Sequence, residues 1–262
     1  MTGAVIARVA IAPVFAEATL RAEQVNQLVL GETADVLEAR DSWRRIRTAL
    51  DRYVGWVHAG YCTEVDEPTA DAWREEALGW SQGATARMGE ERVRLPLRAR
   101  VATEGERIRL PDGRRGRIVD GGVTTAHETA AAARATAPER WALEHFGGAP
   151  YEWGGVTPYG VDCSGLVQTT FLARGLTLPR DAAQQVDCGA QVRPEDLRSG
   201  DLLFFRGEAE ARITHVAFAG EGDTLVHSAV AVGGMLKESW VPGSRAASLR
   251  ERLVAVRRLE SR

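Results

Sequence analysis

The chain has 262 residues, 44% hydrophobic and 26% charged, which is the make-up of a soluble globular protein with room for a catalytic domain and one or two smaller ones. A formal charge of −3 with no basic block leaves no electrostatic footprint for nucleic acid or an anionic membrane. Its three cysteines, Cys62, Cys163 and Cys188, cannot all be paired, and the N-terminal stretch has neither a cationic start followed by an apolar run nor a membrane span, so the expectation is free thiols in a reducing cytoplasm.

From Ile6 to about Val65 short alternating apolar runs are broken by Gly31, Asp41 and Gly55, which predicts a small β-barrel with Trp43 and Trp56 in its core. Asp66 to Pro68 reads as a linker. A second β-rich block runs to about Val123, with Val93, Leu95 and Leu97 alternating on a strand and Pro111-Asp112-Gly113 as a turn. The segment from Thr69 within it reads as a short helix or a loop. Thr124 to Ala137 is an Ala-rich linker or surface helix. The divisions expected are 1–66, 67–125 and 126–262.

From Pro138 the character changes. "PERWALEHF" predicts a helix with Pro138 near its first position and Gly147-Gly148 as its stop. "YEWGGVTPYGVD" is a Gly-rich loop. Cys163 to Arg174 predicts an amphipathic helix with Leu166, Val167, Thr170 and Phe171 inward and Gly175 as its cap. Another helical turn follows at "RDAAQQV". The strands "GDLLFF", "ITHVAFAG", "TLVHSAV" and "ERLVAVRRL" complete the chain, and helices followed by an antiparallel sheet define an α+β domain.

Cys163 falls at a helix start behind Asp162, a candidate N-cap. Unpaired backbone N–H groups and the helix dipole there favour a thiolate, so the expected thiol pKa is low. A nucleophilic thiol needs a base. His215 and His227 lie six residues either side of Glu221 in a Gly-flanked turn, which predicts a cross-strand pair on facing strands. One histidine would take the proton and the other would hold its ring. His58, His127 and His145 have no such setting and are read as surface or packing residues. Cys163, His215 and His227 are also all zinc ligands, so a Cys-His-His zinc site is the metal-binding alternative.

These motifs, "YEWGGVTPYGVDCSGLVQ", "LPRDAAQQ", "LRSGDLLFF", "ITHVAFAG" and "LVHSA", resemble the NlpC-type family of cell-wall cysteine peptidases from about Pro138 onward. "EQVNQLVLGETADVLEARDSWRRI" and "YVGWV" resemble the bacterial SH3-like modules that precede this domain in some members. The resemblance implies a papain-like catalytic domain behind two small SH3-like β-barrels. It implies Cys163 as nucleophile, His215 as base and His227 as third polar residue, with no metal or other cofactor. Within the family, two such modules suggest the γ-D-glutamyl-L-diamino acid endopeptidases. That subgroup implies cleavage of small murein peptides after L-Ala-γ-D-Glu; with no export signal in view, the expected substrates are fragments with a free L-Ala met in peptidoglycan peptide recycling, and the expected state is a monomer.

For the substrate, the resemblance implies Trp153 beside the nucleophile, Ser164 toward the substrate carboxylate and Asp181 toward its free amine. Arg180 faces either the α-carboxylate of D-Glu or solvent. Glu23 and Tyr53 match the first module's contribution to the substrate site. Close relatives carry a hydroxyl where this chain has Ala182, a departure that bears on γ-D-Glu binding. Two other function classes share these residues. One is an acyl- or amidotransferase on the same fold; the other is a catalytically inactive protein that binds wall fragments.

Overall fold

The computed structural model describes residues 3–208 and 212–259. The chain divides into two compact units, residues 1–129 and 130–262. No helix among the described residues is long and apolar enough to cross a membrane.

The first unit opens with seven strands: β1 (Gly3–Ala7), β2 (Ile11–Phe15), β3 (Gln24–Val29), β4 (Thr33–Arg40), β5 (Trp43–Thr48), β6 (Val54–His58) and β7 (Cys62–Asp66). They form one antiparallel sheet in the order β3-β2-β6-β5-β4-β1-β7. Alternate residues turn inward to a core of Val5, Ala12, Val14, Leu28, Ala34, Ile46, Val57 and Cys62. Trp56 is buried, as expected, beneath the Arg40 guanidinium, whereas Trp43 is only half-buried, edge-on to Phe15 and His58.

The expected linker at Asp66 to Pro68 is the start of a helix, α1 (Glu67–Glu76). The Asp66 carboxylate accepts from the Thr69 N–H at 2.9 Å and Pro68 occupies the first turn, where its missing N–H costs nothing. Asp-Glu-Pro serves a loop or an N-terminus equally well. Trp73 at Asp66 plus seven decides it, by burying against Ile6, Ala77 and Ala102 and donating to the Gly31 carbonyl at 2.8 Å.

Then come β8 (Gly79–Met88), β9 (Glu91–Glu104), β10 (Arg107–Arg109), β11 (Arg115–Asp120) and β12 (Val123–Thr125). β11 pairs with both β10 and β8, so β8 to β11 close on themselves. Helix α2 (Ala126–Arg134) follows.

In the second unit, α3 (Pro138–Phe146) ends at Gly147 as its sequence predicts. A small hairpin, β13 (Val156–Thr157) and β14 (Gly160–Val161), leads into α4 (Cys163–Ala173). Next are α5 (Ala182–Gln185), β15 (Ala190–Gln191), β16 (Leu202–Arg206), β17 (Ile213–Ala219), β18 (Thr224–Ala229), β19 (Gly234–Ser239), α6 (Ser248–Arg252) and β20 (Leu253–Arg258). The sheet is antiparallel in the order β15-β20-β16-β17-β18-β19. The α+β order holds: helices come first, then the main sheet.

Helix α4 packs on this sheet, with Phe171 and Phe218 rings 6.0 Å apart. It is not the amphipathic helix its pattern suggests, because every residue but Leu172 is buried. Its polar residues are satisfied inside: Thr169 donates to the Val156 carbonyl at 2.8 Å, Thr170 to Leu166 at 2.8 Å and Gln168 to Leu178 at 3.1 Å.

Candidate active site

Cys163 is the first residue of α4, and the chain builds that helix end with care. Asp162 caps it: one carboxylate oxygen accepts from Gly165 N–H at 2.7 Å, the other from Gly154 N–H at 2.8 Å. Arg180 reaches both oxygens and also donates to the Ser164 hydroxyl at 2.8 Å and the Gly155 carbonyl at 3.3 Å. Arg180 is 1% exposed, so its solvent-facing reading is excluded. Breaking such a buried pair would leave an uncompensated charge, which costs about 3–5 kcal/mol. Gly165 is required here, since a Cβ would overlap the Gly155 carbonyl.

The thiol differs from its expectation. Burial, then the Asp162 charge, pushes the Cys163 thiol up to about 12. Backbone N–H groups of Val216 and Ser164, and the Arg180 charge, pull the other way and lose. Proximity to a helix start does not produce a resting thiolate when the cysteine is buried next to a carboxylate.

His215 on β17 and His227 on β18 share one face of the sheet. The β17–β18 pairing is centred on residue 222, from Phe218 opposite Val226, so the histidines are diagonal neighbours rather than directly opposite. His215 Nε2 and His227 Nδ1 are 2.8 Å apart, and His227 Nε2 is 3.0 Å from Glu238 Oε1. Burial, then the neighbouring His227 and Arg252, lowers His215 to about 3; burial, then Arg245, lowers His227 to about 4. Both rings are therefore neutral near pH 7. Glu238 only accepts, so His227 carries its proton on Nε2 and offers Nδ1 to the His215 Nε2–H. That leaves His215 Nδ1 as the unprotonated nitrogen, the one free to take a proton.

Cys163, His215, His227 and Tyr151 line one cavity of about 270 Å³. The Tyr151 phenol is raised by burial and then by Cys163 and Asp162. Sequence reasoning passed over Tyr151 and Glu238. The first stands two residues from Trp153 in the loop already singled out. The second lies on β19, whose only signal is the Gly233-Gly234 turn closing a second hairpin; β18–β19 pairing sets Leu225 opposite Glu238 and His227 opposite Leu236, one face for all four. Arg245 holds the Glu238 carboxylate from the far side, its Nε donating to Oε2 at 3.1 Å.

The remaining candidates fall into three places. Ser164 and Arg180 belong to the Asp162 network behind the nucleophile. Asp181 starts α5, with Ala182 after it, and Trp153 is 56% exposed outside the cavity lining. Glu23 and Tyr53 are in the first unit, just before β3 and β6; the Tyr53 N–H donates to Thr48 Oγ1 at 2.8 Å. Among the described residues no cluster of three His, Cys, Asp or Glu is arranged to hold a metal ion. Cys62 and Cys188 are free thiols away from this cavity.

A thiol at a helix start, sharing a cavity with a histidine whose ring is fixed by a second histidine and a carboxylate, is the apparatus of thiol-dependent acyl transfer. Comparison with known proteins agrees. The chain carries an NlpC/P60 family domain, matched over residues 148–248, and a bacterial dipeptidyl-peptidase SH3 domain, matched over residues 14–60. It is 43% identical over 84 residues to a γ-D-glutamyl-L-lysine dipeptidyl-peptidase of Bacillus subtilis, a stretch covering 32% of this chain and 28% of that one. It is 42% identical over 93 residues to a probable endopeptidase of Haemophilus influenzae, covering 35% of this chain and 57% of the other. The chain thus spans less than two thirds of the length of either relative. In fold it is similar to an NlpC/P60 family protein of Bacillus cereus, with a TM-score of 0.77 at 20% identity over 97% of this chain and 99% of that one. It is also similar to an NlpC/P60 endopeptidase of Photobacterium damselae, with a TM-score of 0.66 at 15% identity over 96% and 70%.

Proposed function

We propose that the protein is a cysteine peptidase that hydrolyses the γ-D-glutamyl-L-diamino acid bond of murein peptides bearing a free N-terminal L-Ala. The observation that carries this reading is the hydrogen-bonded series His215–His227–Glu238, whose two histidines line the cavity that holds Cys163. The names of the relatives supply the bond, and the paired SH3 and NlpC/P60 matches support the subgroup.

In the first step the Cys163 proton moves to His215 Nδ1 as the sulfur attacks the γ-carbonyl carbon. The resting pair is neutral, so transfer accompanies attack rather than preceding it. The Tyr151 hydroxyl, in the same cavity, is the side-chain donor for the developing oxyanion. His215 then gives its proton to the leaving amine, the C–N bond breaks, and a thioester remains on Cys163. Water attacks the thioester with His215 as base, releasing L-Ala-D-Glu and restoring the thiol. His227 and Glu238 keep the His215 ring in its tautomer and stabilise its charge when protonated.

The assignments that complete this reading are a papain-like catalytic core behind two SH3-like barrels, a monomeric enzyme, and action in the cytoplasm on recycled peptides. Asp181 takes the substrate ammonium, and Glu23 and Tyr53 are the first unit's candidates for the same selectivity. Incubating L-Ala-γ-D-Glu-diamino acid with the wild type and with Cys163→Ser, and identifying the products by mass, tests the proposal. Only the wild type should release L-Ala-D-Glu and the free diamino acid; cleavage by both, or by neither, overturns it.

A further inference from the structure

The cavity around Cys163 has a second character beyond its catalytic groups. Arg206, Arg245 and Arg252 stand on its wall, and no Asp or Glu among the described residues lines it. With both histidines neutral, the wall is cationic. The three guanidiniums are held differently. Arg245 is ion-paired with Glu238. Arg252 reaches Glu208 at 3.4 Å, a carboxylate 86% exposed and hence weakly held, while the Arg252 Nε is buried with no hydrogen-bond partner. Arg206, on the exposed end of β16, has no hydrogen bond or ion pair among the described residues. Arg252 and Arg245 are also close enough to His215 and His227 to add to the lowering that burial causes, which places them beside the reacting groups. A buried donor without an acceptor is costly, so this wall is incomplete without an anion.

We propose that the arginine wall is a carboxylate subsite on the leaving side of the scissile bond, one that selects the diamino acid by its free carboxylates. The inference rests on the peptidase reading above. Trp153, Ser164, Arg180 and Asp181, the residues assigned to the acyl side, are all absent from this cavity's wall, which leaves it to the leaving residue. That residue carries an α-carboxylate one carbon from the amine being released. Diaminopimelate carries a second carboxylate at its far end. Lysine and ornithine present only an ammonium there, and guanidiniums repel it. The wall therefore ranks a diaminopimelate peptide first, a lysine or ornithine peptide with a free α-carboxylate second, and fully amidated peptides last.

The test compares kcat/KM on L-Ala-γ-D-Glu-diaminopimelate, its dicarboxamide, and the lysine tripeptide. Charge-assisted hydrogen bonds of ordinary strength predict a loss of about tenfold or more on amidation. Arg252→Gln and, separately, the exposed Arg206→Gln should narrow the ratio between acid and amide. A purely structural arginine would lower both rates by one factor and leave the ratio alone. Equal cleavage of the diaminopimelate and lysine peptides, with both losing on amidation, assigns the subsite to the α-carboxylate and still supports it. Equal cleavage of acid and dicarboxamide by the wild type overturns it. A second measurement is independent of turnover: calorimetric titration of Cys163→Ser protein with free diaminopimelate and with its dicarboxamide. If no γ-glutamyl peptide is cleaved, the peptidase reading fails, and the titration alone decides the subsite: tighter binding of the acid supports it, and equal binding overturns it.

Discussion

Holding two histidines neutral inside the second unit has a cost that appears on acidification. Unfolded, each imidazole titrates near its ordinary value of 6.5; folded, His215 is lowered to about 3 and His227 to about 4. Below pH 6.5 the unfolded chain binds two protons that the native unit refuses, so stability is full above 6.5 and is lost as pH falls toward the folded values. At pH 5.5 each histidine accounts for about 1.4 kcal/mol, so the pair removes about 3 kcal/mol relative to pH 8. That is a large part of a domain's stability. The assay is urea unfolding at both pH values, followed by hydrogen exchange of peptides from β16 to β18, so that the first unit does not contribute. Carboxylates elsewhere also titrate, and comparison with His215→Asn removes them. The variant should lose about 1.4 kcal/mol less than the wild type between pH 8 and 5.5, whatever its absolute stability. Identical losses in the two proteins would refute the claim that His215 is buried uncharged.

Three further outcomes follow from the site. Because neither Cys163 nor His215 titrates between about pH 5 and 9, kcat/KM should be flat from about pH 5 to 7 where the protein stays folded and should fall above about pH 8 only as the substrate ammonium is lost; an ascending limb near 6.5 would mean a freely hydrated base. Glu238→Gln keeps an oxygen for His227 Nε2 but removes the charge, and kcat should fall about tenfold with little change in KM, the scale of an outer-shell orienting partner; an unchanged kcat would remove Glu238 from the series. N-acetylation of the tripeptide should abolish most cleavage, and Glu23→Ala or Tyr53→Ala should narrow the gap between free and acetylated substrates, whereas equal cleavage of both peptides by the wild type would leave the first unit no part in selecting the amino terminus.

How far the sequence reached depended on the kind of signal each residue carries. Cys163, His215 and His227 were legible because a nucleophile behind an N-cap and two histidines across a Gly-rich turn need only local geometry to meet. Glu238 was not, because Leu-Lys-Glu-Ser in β19 alternates too weakly to announce a strand, and its role depends on a hairpin register. The burial of α4 was hidden by Ser164, Gln168 and Thr169, which look solvent-facing until carbonyls from Val156 and Leu178 and the Arg180 guanidinium are in place. The raised thiol follows from that burial. A helix start favours a thiolate only where solvent helps to carry the charge. Arg180, readable as solvent-facing, is instead the fixed partner of the cap that positions the nucleophile.

The most direct test of the central claim is hydrolysis of L-Ala-γ-D-Glu-diamino acid in water enriched with heavy oxygen, with mass analysis of both products. Attack by Cys163 on the γ-carbonyl and hydrolysis of the resulting thioester predicts one heavy oxygen in L-Ala-D-Glu, on its γ-carboxyl, none in the diamino acid, and no product at all from Cys163→Ser. Label in the diamino acid, cleavage at the L-Ala bond, or labelled product from Cys163→Ser would contradict it.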